Sequence, residues 1–363
     1  MNKPEQNLNI KMQKETQVAY KPLLKSIGSF FVSPGDGTRL VPGLVDNLST
    51  KRYMFLVVLA LLPIALAAVY FYGWRIVAMI LVSYFFGGMT EILFAVFRKK
   101  RFQADGLLVT CLIFPLILPP TLPLWIVAIG SVFAVFFGKE VFGGTGRNIF
   151  NPAVVGRVFI TVSFPSYMTS VWQHPMPGGF GGFFNYGADL ITSATPLISY
   201  RAGEIITYTY YDLIFGLAPG SMGETFRIGI ILSGLFLIVT GVSNWRVPLA
   251  YLGSVVLFSS IGHYYFPNQV ALPMFQLLTG GLLFGAFFMA TDPITSPFTG
   301  PGKWVFGLLL GMLTVLFRSF SGSVEGVVFS ILLMNAFTPL IDTIVLKIRF
   351  RPLGREGLSH NVP

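Results

Sequence analysis

The sequence predicts an all-α polytopic membrane protein with about ten transmembrane helices. Three observations lead there. Only 11% of the 363 residues are charged and 53% are hydrophobic, where a soluble domain carries about a quarter charged residues. The mean hydropathy is +0.70. Apolar runs recur at lengths near the roughly 20 residues that cross a hydrocarbon core, where a helix satisfies its own backbone.

The elements follow in order. Residues 1–52 form a polar, basic segment with eight Lys and Arg from Lys3 to Arg52, and no cleavable signal pattern is visible in it. Five spans are expected next, at 53–73, 75–97, 105–118, 122–140 and 152–164, making a first membrane half over 53–164. The third is interrupted near Pro115 and Pro119-Pro120 and the fifth is short. Such breaks are tolerated where neighbouring helices or a cavity satisfy the freed backbone. A loop over 165–227 carries the glycine-rich string PGGFGGFFNYG at 177–187 and the acids Asp189, Glu204, Asp212 and Glu224. A loop this long is functional or disordered, and its aromatics Phe180, Phe183, Phe184 and Tyr186 argue against full disorder. Five more spans, at 228–244, 247–265, 270–290, 303–320 and 324–346, make a second half over 228–346, and 347–363 is a tail.

Charge sets the expected orientation. With both termini cytoplasmic, the inner segments hold twenty Lys and Arg, against Arg75, Arg201, Arg227 and Arg318 at the outer edges; Arg157 falls within a span. This asymmetry obeys the positive-inside rule and places the 165–227 loop outside. It also explains the net charge of +10 without nucleic acid. One cysteine, Cys111, and three histidines, His174, His263 and His360, exclude a disulfide framework and leave too few ligands for an intrachain iron–sulfur cluster. A haem held by two histidines is poorly served, because His360 lies in the tail and His174 in the loop. Cys111 is expected as a small packing residue.

The fourth span runs through AIGSVFAVFFGKEVFGG into NIFNP, and the eighth through TGGLLFGAFFMATDP into ITSPFTGPGKW. Both are rich in glycine and phenylalanine and end in a polar, proline-containing turn. Two related halves with interrupted helices frame a site near the midplane; the alternative is that such residues are simply common in packed membrane helices.

Several residues carry chemical options. In DLITSATPL, Asp189 to Leu197, Thr195 offers a hydroxyl that is a weak nucleophile until activated; the string also reads as a turn of small polar residues. Glu91, in FFGGMTEILF, and Asp342, in NAFTPLIDTIV, lie within spans. An ionisable group there is expensive and suggests function, a hard cation prefers oxygen ligands, and the alternative is snorkelling to water. GGTGRN resembles a phosphate loop weakly, since it follows a membrane helix and lacks the Lys-Ser ending. Asn148 and Asn151 read as helix caps, Gly87 and Gly88 as close-packing positions, and Asp292 as a turn cap.

Together these strings resemble one family. Asp189-x-x-Thr192-Ser193-Ala194-Thr195 is similar to the sequence read by the flavin transferase that attaches FMN to threonine through a phosphoester, with Ser193 where glycine is usual. KEVFGGTGRNIFNPA (139–153), PPTLPLW (119–125), GSMGE (220–224), FFMATDPITSPFT (287–299) and FFVSPGDGTRL (30–40) are similar to the same family, so the likeness covers roughly residues 25–350. This is the NqrB/RnfD family. NqrB belongs to the sodium-translocating NADH:quinone oxidoreductase and RnfD to the Rnf electron-transport complex. KEVFGGTGRN and FFMATDP look more like NqrB, while the compact length and the proline of SATPL look more like RnfD; the NqrB type is the expectation.

The resemblance implies covalent FMN on Thr195 and noncovalent riboflavin at Asn148 and Asn151, with Asp292 near it. An amide suits the uracil-like edge of a flavin because it donates and accepts. It further implies a quinone site at Gly87 and Gly88 and sodium uptake through Glu91 and Asp342. Arg157 would pair with a carboxylate or a flavin phosphate. An electron would reach FMN from another FMN-bearing subunit, pass to riboflavin and leave on quinone, in a bacterial inner membrane. Without an NADH-binding domain, the chain is not expected to oxidise NADH alone. The rival expectations are a flavin-free small-solute channel or transporter, and a structural subunit whose loop only docks partners.

Overall fold

A computed structural model describes residues 50–99, 105–169, 172–175, 194–203, 208–321 and 326–350, and all their regular elements are helical. Helix α1 spans Thr50–Tyr72 and α2 spans Trp74–Phe97. The corner between them is the single residue Gly73, at φ 80°, a conformation open to glycine at no steric cost. Helix α3 is Asp105–Leu116 and α4 is Leu124–Val135, which unwinds into one π turn over Phe136–Glu140. Helix α5 is Pro152–Ser163 and α6 is Pro165–Thr169. Then come α7 (Pro196–Ala202), α8 (Tyr210–Phe215) and a 3-10 turn, Met222–Glu224. Helices α9 (Arg227–Val239), α10 (Arg246–Tyr265) and α11 (Pro273–Leu278) lead to α12, Leu282–Phe284, which runs into a second π turn at Gly285–Met289. Helices α13 (Gly300–Phe320) and α14 (Gly326–Phe350) complete the described chain.

Every stretch expected to span contains helix, but among the described residues five helices are long and apolar enough to cross a membrane: α1, α2, α10, α13 and α14. The others are cut short by sequence. Beyond α3 stand Pro119 and Pro120, and α11 is separated from α12 by Gly280 at φ 62°. Proline cannot continue a helix, and 12 residues at 1.5 Å each reach only about 18 Å of a core about 30 Å thick. The long helices are apolar on both sides. Leu61, Ile64 and Ile76 are fully buried, while Leu66, Leu81 and Ile348 are 67%, 63% and 69% exposed. So much exposed hydrocarbon is a liability in water and the natural surface for lipid. The protein is therefore a helical, multi-pass membrane protein.

The likeness between the fourth and eighth spans corresponds to repeated local structure. In each, a helix ends in a single π turn, a polar turn follows, and the next helix has proline in its first turn: Pro152 in α5 and Pro301 in α13. A π turn inserts one residue and redirects the side chains beyond it.

Helices α2, α3, α4 and α5 pack against one another; α10, α13 and α14 form a second group; α1–α9 and α5–α14 contacts join the two. The closest seam is α10–α13. A Cβ on Gly307 would lie 2.5 Å from that of Ala250, and Ser254 donates to Gly307 O at 3.1 Å. Small residues four apart allow this approach. Outside the spans, α8 is capped by Thr209 and Asp212 in a reciprocal box, and hydrogen bonds from Thr209 hold the exposed Asp212 carboxyl below its ordinary range.

Candidate functional site

The two repeated turns meet at a cleft whose empty space, open solvent at its mouth included, is about 670 Å³. Tyr53, Val57, Ile113, Phe287 and Phe288 give it apolar walls; Lys139, Thr145, Asn148, Asn151, Ser243 and Asp292 supply polarity. Asn148 and Asn151 come from the turn after the first π turn, and Asp292 from the turn after the second. The structure thus brings together three residues from two turns that the sequence places 141 positions apart at their nearest.

Each has a local role as well. Asn151 is the N-cap of α5, accepting from Ala153 N at 3.1 Å, and its amide reaches Met289 O at 3.5 Å. Asn148 is no cap; its amide donates to Phe150 O at 3.1 Å. Asp292 accepts from Ile294 N at 3.3 Å and from the Thr295 hydroxyl at 3.1 Å. Burial raises its carboxyl above the usual range, against the pull of these two bonds. Between the first π turn and Asn148, Gly143, Gly144 and Gly146 adopt φ of 116°, 98° and 89°, so the glycine string is a tight irregular turn rather than a phosphate loop feeding a helix.

None of the other predicted residues among those described lines the cleft. Glu91 is buried and its Oε1 accepts from Lys139 Nζ at 2.8 Å; it is paired, where snorkelling was the alternative. Asp342 is buried on α14 and accepts from Phe298 N at 3.0 Å, from Thr299 N at 3.1 Å and from the Thr299 hydroxyl. It thereby caps the start of α13. A Cβ on Gly87 would come within 2.7 Å of Cys111 Sγ, so Gly87 and Cys111 bring α2 against α3. Gly88 has ordinary space, with Leu107 at 3.6 Å from such a Cβ. Neither glycine lines the cleft. Arg157 NH1 lies 3.9 Å from Glu224 Oε1, a carboxylate partner.

Thr195 is the N-cap of α7, half-buried, its hydroxyl accepting from Ile198 N at 3.4 Å. Behind it Pro196 and Leu197 are buried, Tyr200 donates to Pro267 O at 3.1 Å and Arg201 bonds Ser321 O. Half-buried Ala194 precedes it; Asp189, Thr192 and Ser193 lie outside the described residues.

The sequence model of the NQR2, RnfD, RnfE family matches residues 38–351. The chain belongs to the NQR2, RnfD, RnfE family. Among relatives, it is 34% identical to the B-type subunit of the Na(+)-translocating NADH-quinone reductase of Pseudomonas paraeruginosa, across 93% of this chain and 94% of that protein. It is 36% identical to the D-type subunit of the ion-translocating oxidoreductase complex of Aeromonas hydrophila, across 81% of this chain and 93% of that protein. To the D-type subunit of Escherichia coli it is also 36% identical, across 81% and 92%.

Several residues of this family member escaped the reading of its sequence. Asn335 on α14, with its amide oriented by its neighbours, accepts from Asn151 N at 3.1 Å. Arg98 pairs with Glu140 at 3.0 Å. Two hydroxyls on the cleft wall, Thr145 Oγ1 and Ser243 Oγ, are buried with no hydrogen-bond partner among the described residues. The signal for Lys139 and Glu140 was present: two charges directly after an apolar run, in a place where ions need partners. Thr145 and Ser243 had no such signal.

Proposed function

We propose that the chain is the membrane subunit of a sodium-pumping respiratory complex, of the NqrB type, which carries FMN on Thr195 and riboflavin in the cleft and delivers electrons to quinone. The observation that carries this reading is the cleft itself: in a member of this family, Asn148, Asn151 and Asp292 from two repeated turns face one apolar-walled space that also holds orphaned hydroxyls. The donor set fits a flat heterocycle. Amides and hydroxyls can donate and accept at its polar edge, and Phe287, Phe288 and Tyr53 exclude water from its faces. When bound, flavins supply the electron-carrying chemistry, while the protein supplies position and electrostatics.

Within this reading the chain crosses the bacterial inner membrane ten times with both termini cytoplasmic, as the charge asymmetry favours, and works beside the complex's other subunits after maturation by a flavin transferase. Glu91 and Asp342 serve sodium, and Gly87 and Gly88 border quinone. Both carboxylates have protein partners, so sodium uptake requires them to exchange ligands. The 36% identity to a D-type relative favours a second reading, an RnfD-type chain, whose redox partners differ but whose flavin sites are the same.

The test is intact mass and in-gel fluorescence of the denatured chain, co-expressed with the transferase, for wild type, Thr195→Ala and Thr195→Ser. Added mass of FMN less water, fluorescent in wild type and absent from Thr195→Ala, is expected. An unmodified wild type would redirect the assignment to a flavin-free transporter.

A further inference from the structure

The geometry points to a second polar edge of the cleft, made by Lys139, Thr145 and Ser243, as the part that binds the electronegative side of the ligand, with Glu91 as the residue that positions Lys139. This deepens the proposed flavin site and rests on it.

Lys139 is the one cation among the described residues lining the cleft. Its side chain is 3% exposed and that of Glu91 is 6%. An ammonium carries three N–H donors, and among the described residues Lys139 Nζ has one acceptor, Glu91 Oε1 at 2.8 Å. A buried donor left unmade is costly, so the remaining N–H groups call for an acceptor within the cleft. The neighbourhood is shaped for the ammonium: a Cβ on Gly106 would stand 3.4 Å from Nζ and 3.3 Å from Thr145 Oγ1. Thr145 Oγ1 is itself an orphan, and so is Ser243 Oγ, contributed from the turn between α9 and α10. Three under-satisfied groups, from the first π turn, the polar turn after it and the α9–α10 turn, therefore border the same space as Asn148, Asn151 and Asp292.

The π turn explains how Lys139 comes to face inward. In Phe136–Glu140 successive charges point to different partners: Lys139 to Glu91 on α2, and Glu140 to Arg98 just beyond the end of α2. Both ions are neutralised, yet only Lys139 borders the cleft. An ammonium beside an electron-poor heterocycle can donate to its carbonyl oxygens and makes gain of an electron more favourable. Glu91 tempers that effect by holding the ammonium. Its role is indirect: it does not border the cleft, but it sets the position and net charge of the residue that does.

The experiment uses the full chain in its complex. Acid release separates noncovalent flavin, which leaves, from covalent flavin, which stays, and redox titration gives the midpoint potential of the noncovalent flavin in the intact complex. The variants are Lys139→Met/Glu91→Gln, which strands no charge, then Thr145→Val, Glu91→Gln and Glu91→Asp, each also reloaded with added riboflavin. The expected results are loss of riboflavin affinity by about tenfold or more in the double variant, the scale of a charged hydrogen bond, and a smaller loss for Thr145→Val. Glu91→Gln should raise the midpoint potential, and Glu91→Asp should return it toward wild type. A double variant with full riboflavin affinity and unchanged potential overturns the inference while leaving the cleft as a flavin site. A wild type that neither retains nor rebinds noncovalent flavin overturns both.

Discussion

Asp342 shows how much a single residue's role depends on partners that its own sequence context hides. In the string NAFTPLIDTIV it is a lone acid in an apolar helix, the usual mark of ion handling. In the structure its oxygens take the Phe298 and Thr299 amides, 44 and 43 residues away, and backbone amides have no side-chain signature to read. Removing the carboxylate strands the Phe298 and Thr299 amides and the Thr299 hydroxyl at the part-buried start of α13. Asp342→Ala is therefore expected to cost about 2 kcal/mol or more, seen as a lower thermal midpoint in detergent, with Asp342→Asn in between because one oxygen still accepts. Wild-type stability in Asp342→Ala, with only the sodium dependence changed, would show that capping is incidental. Thr195 is the opposite case. Its string offers the hydroxyl as a candidate nucleophile, and the structure adds that the same oxygen caps α7.

At the level of elements, the positions of helices were legible and their lengths were not. Hydrophobic runs located the helical stretches, because apolar composition is a local property. Whether a run crosses in one piece depends on a few residues, such as Pro119, Pro120 and Gly280, and on what packs beside the break. The π turns were equally hidden, since a one-residue insertion leaves no compositional trace. The α10–α13 seam gives the clearest test at this scale. The space a Cβ would need on Gly311 is occupied by the Ser254 side chain, which is held by Gly307 O at 3.1 Å and Tyr251 O at 2.8 Å. Gly311→Ala is expected to destabilise by about 1–3 kcal/mol through overpacking. Ser254→Ala removes the obstructing oxygen, so the double variant should lose less than the sum of the two singles, a coupling expected of residues in contact. Strict additivity, measured by thermal scanning, would mean that the helices part to admit the methyl group.

Across the whole molecule, buried charge joins parts that apolar packing alone would leave free to slide. Glu224, in the 3-10 turn, lies 3.9 Å from Arg157 of α5, and Arg227 of α9 and Arg318 of α13 stand within its electrostatic reach. The arginines are themselves tied down. Arg318 donates to Gln276 O at 2.7 Å and Thr279 O at 2.8 Å, and Arg227 donates to Leu213 O. A Cβ on Gly281 would meet Glu224 Oε1 at 2.7 Å, so the carboxylate also abuts the start of α12. One acid among three buried arginines thus connects α5 of the first group with α9, α12 and α13. Attraction between buried ions offsets their desolvation when all partners are present, and removal of one partner leaves the rest uncompensated. Glu224→Ala is expected to lower stability by about 3 kcal/mol, and Glu224→Gln by less, because the amide oxygen still accepts. The cleft provides the second readout. Its walls come from the first group, from α1 and α9 and from the turns after both π turns, so on the proposed function a loosened connection should increase loss of noncovalent flavin on gel filtration even where the flavin on Thr195 stays. If Glu224→Ala lowers neither stability nor flavin retention, the α1–α9 and α5–α14 contacts hold the two groups in register by themselves.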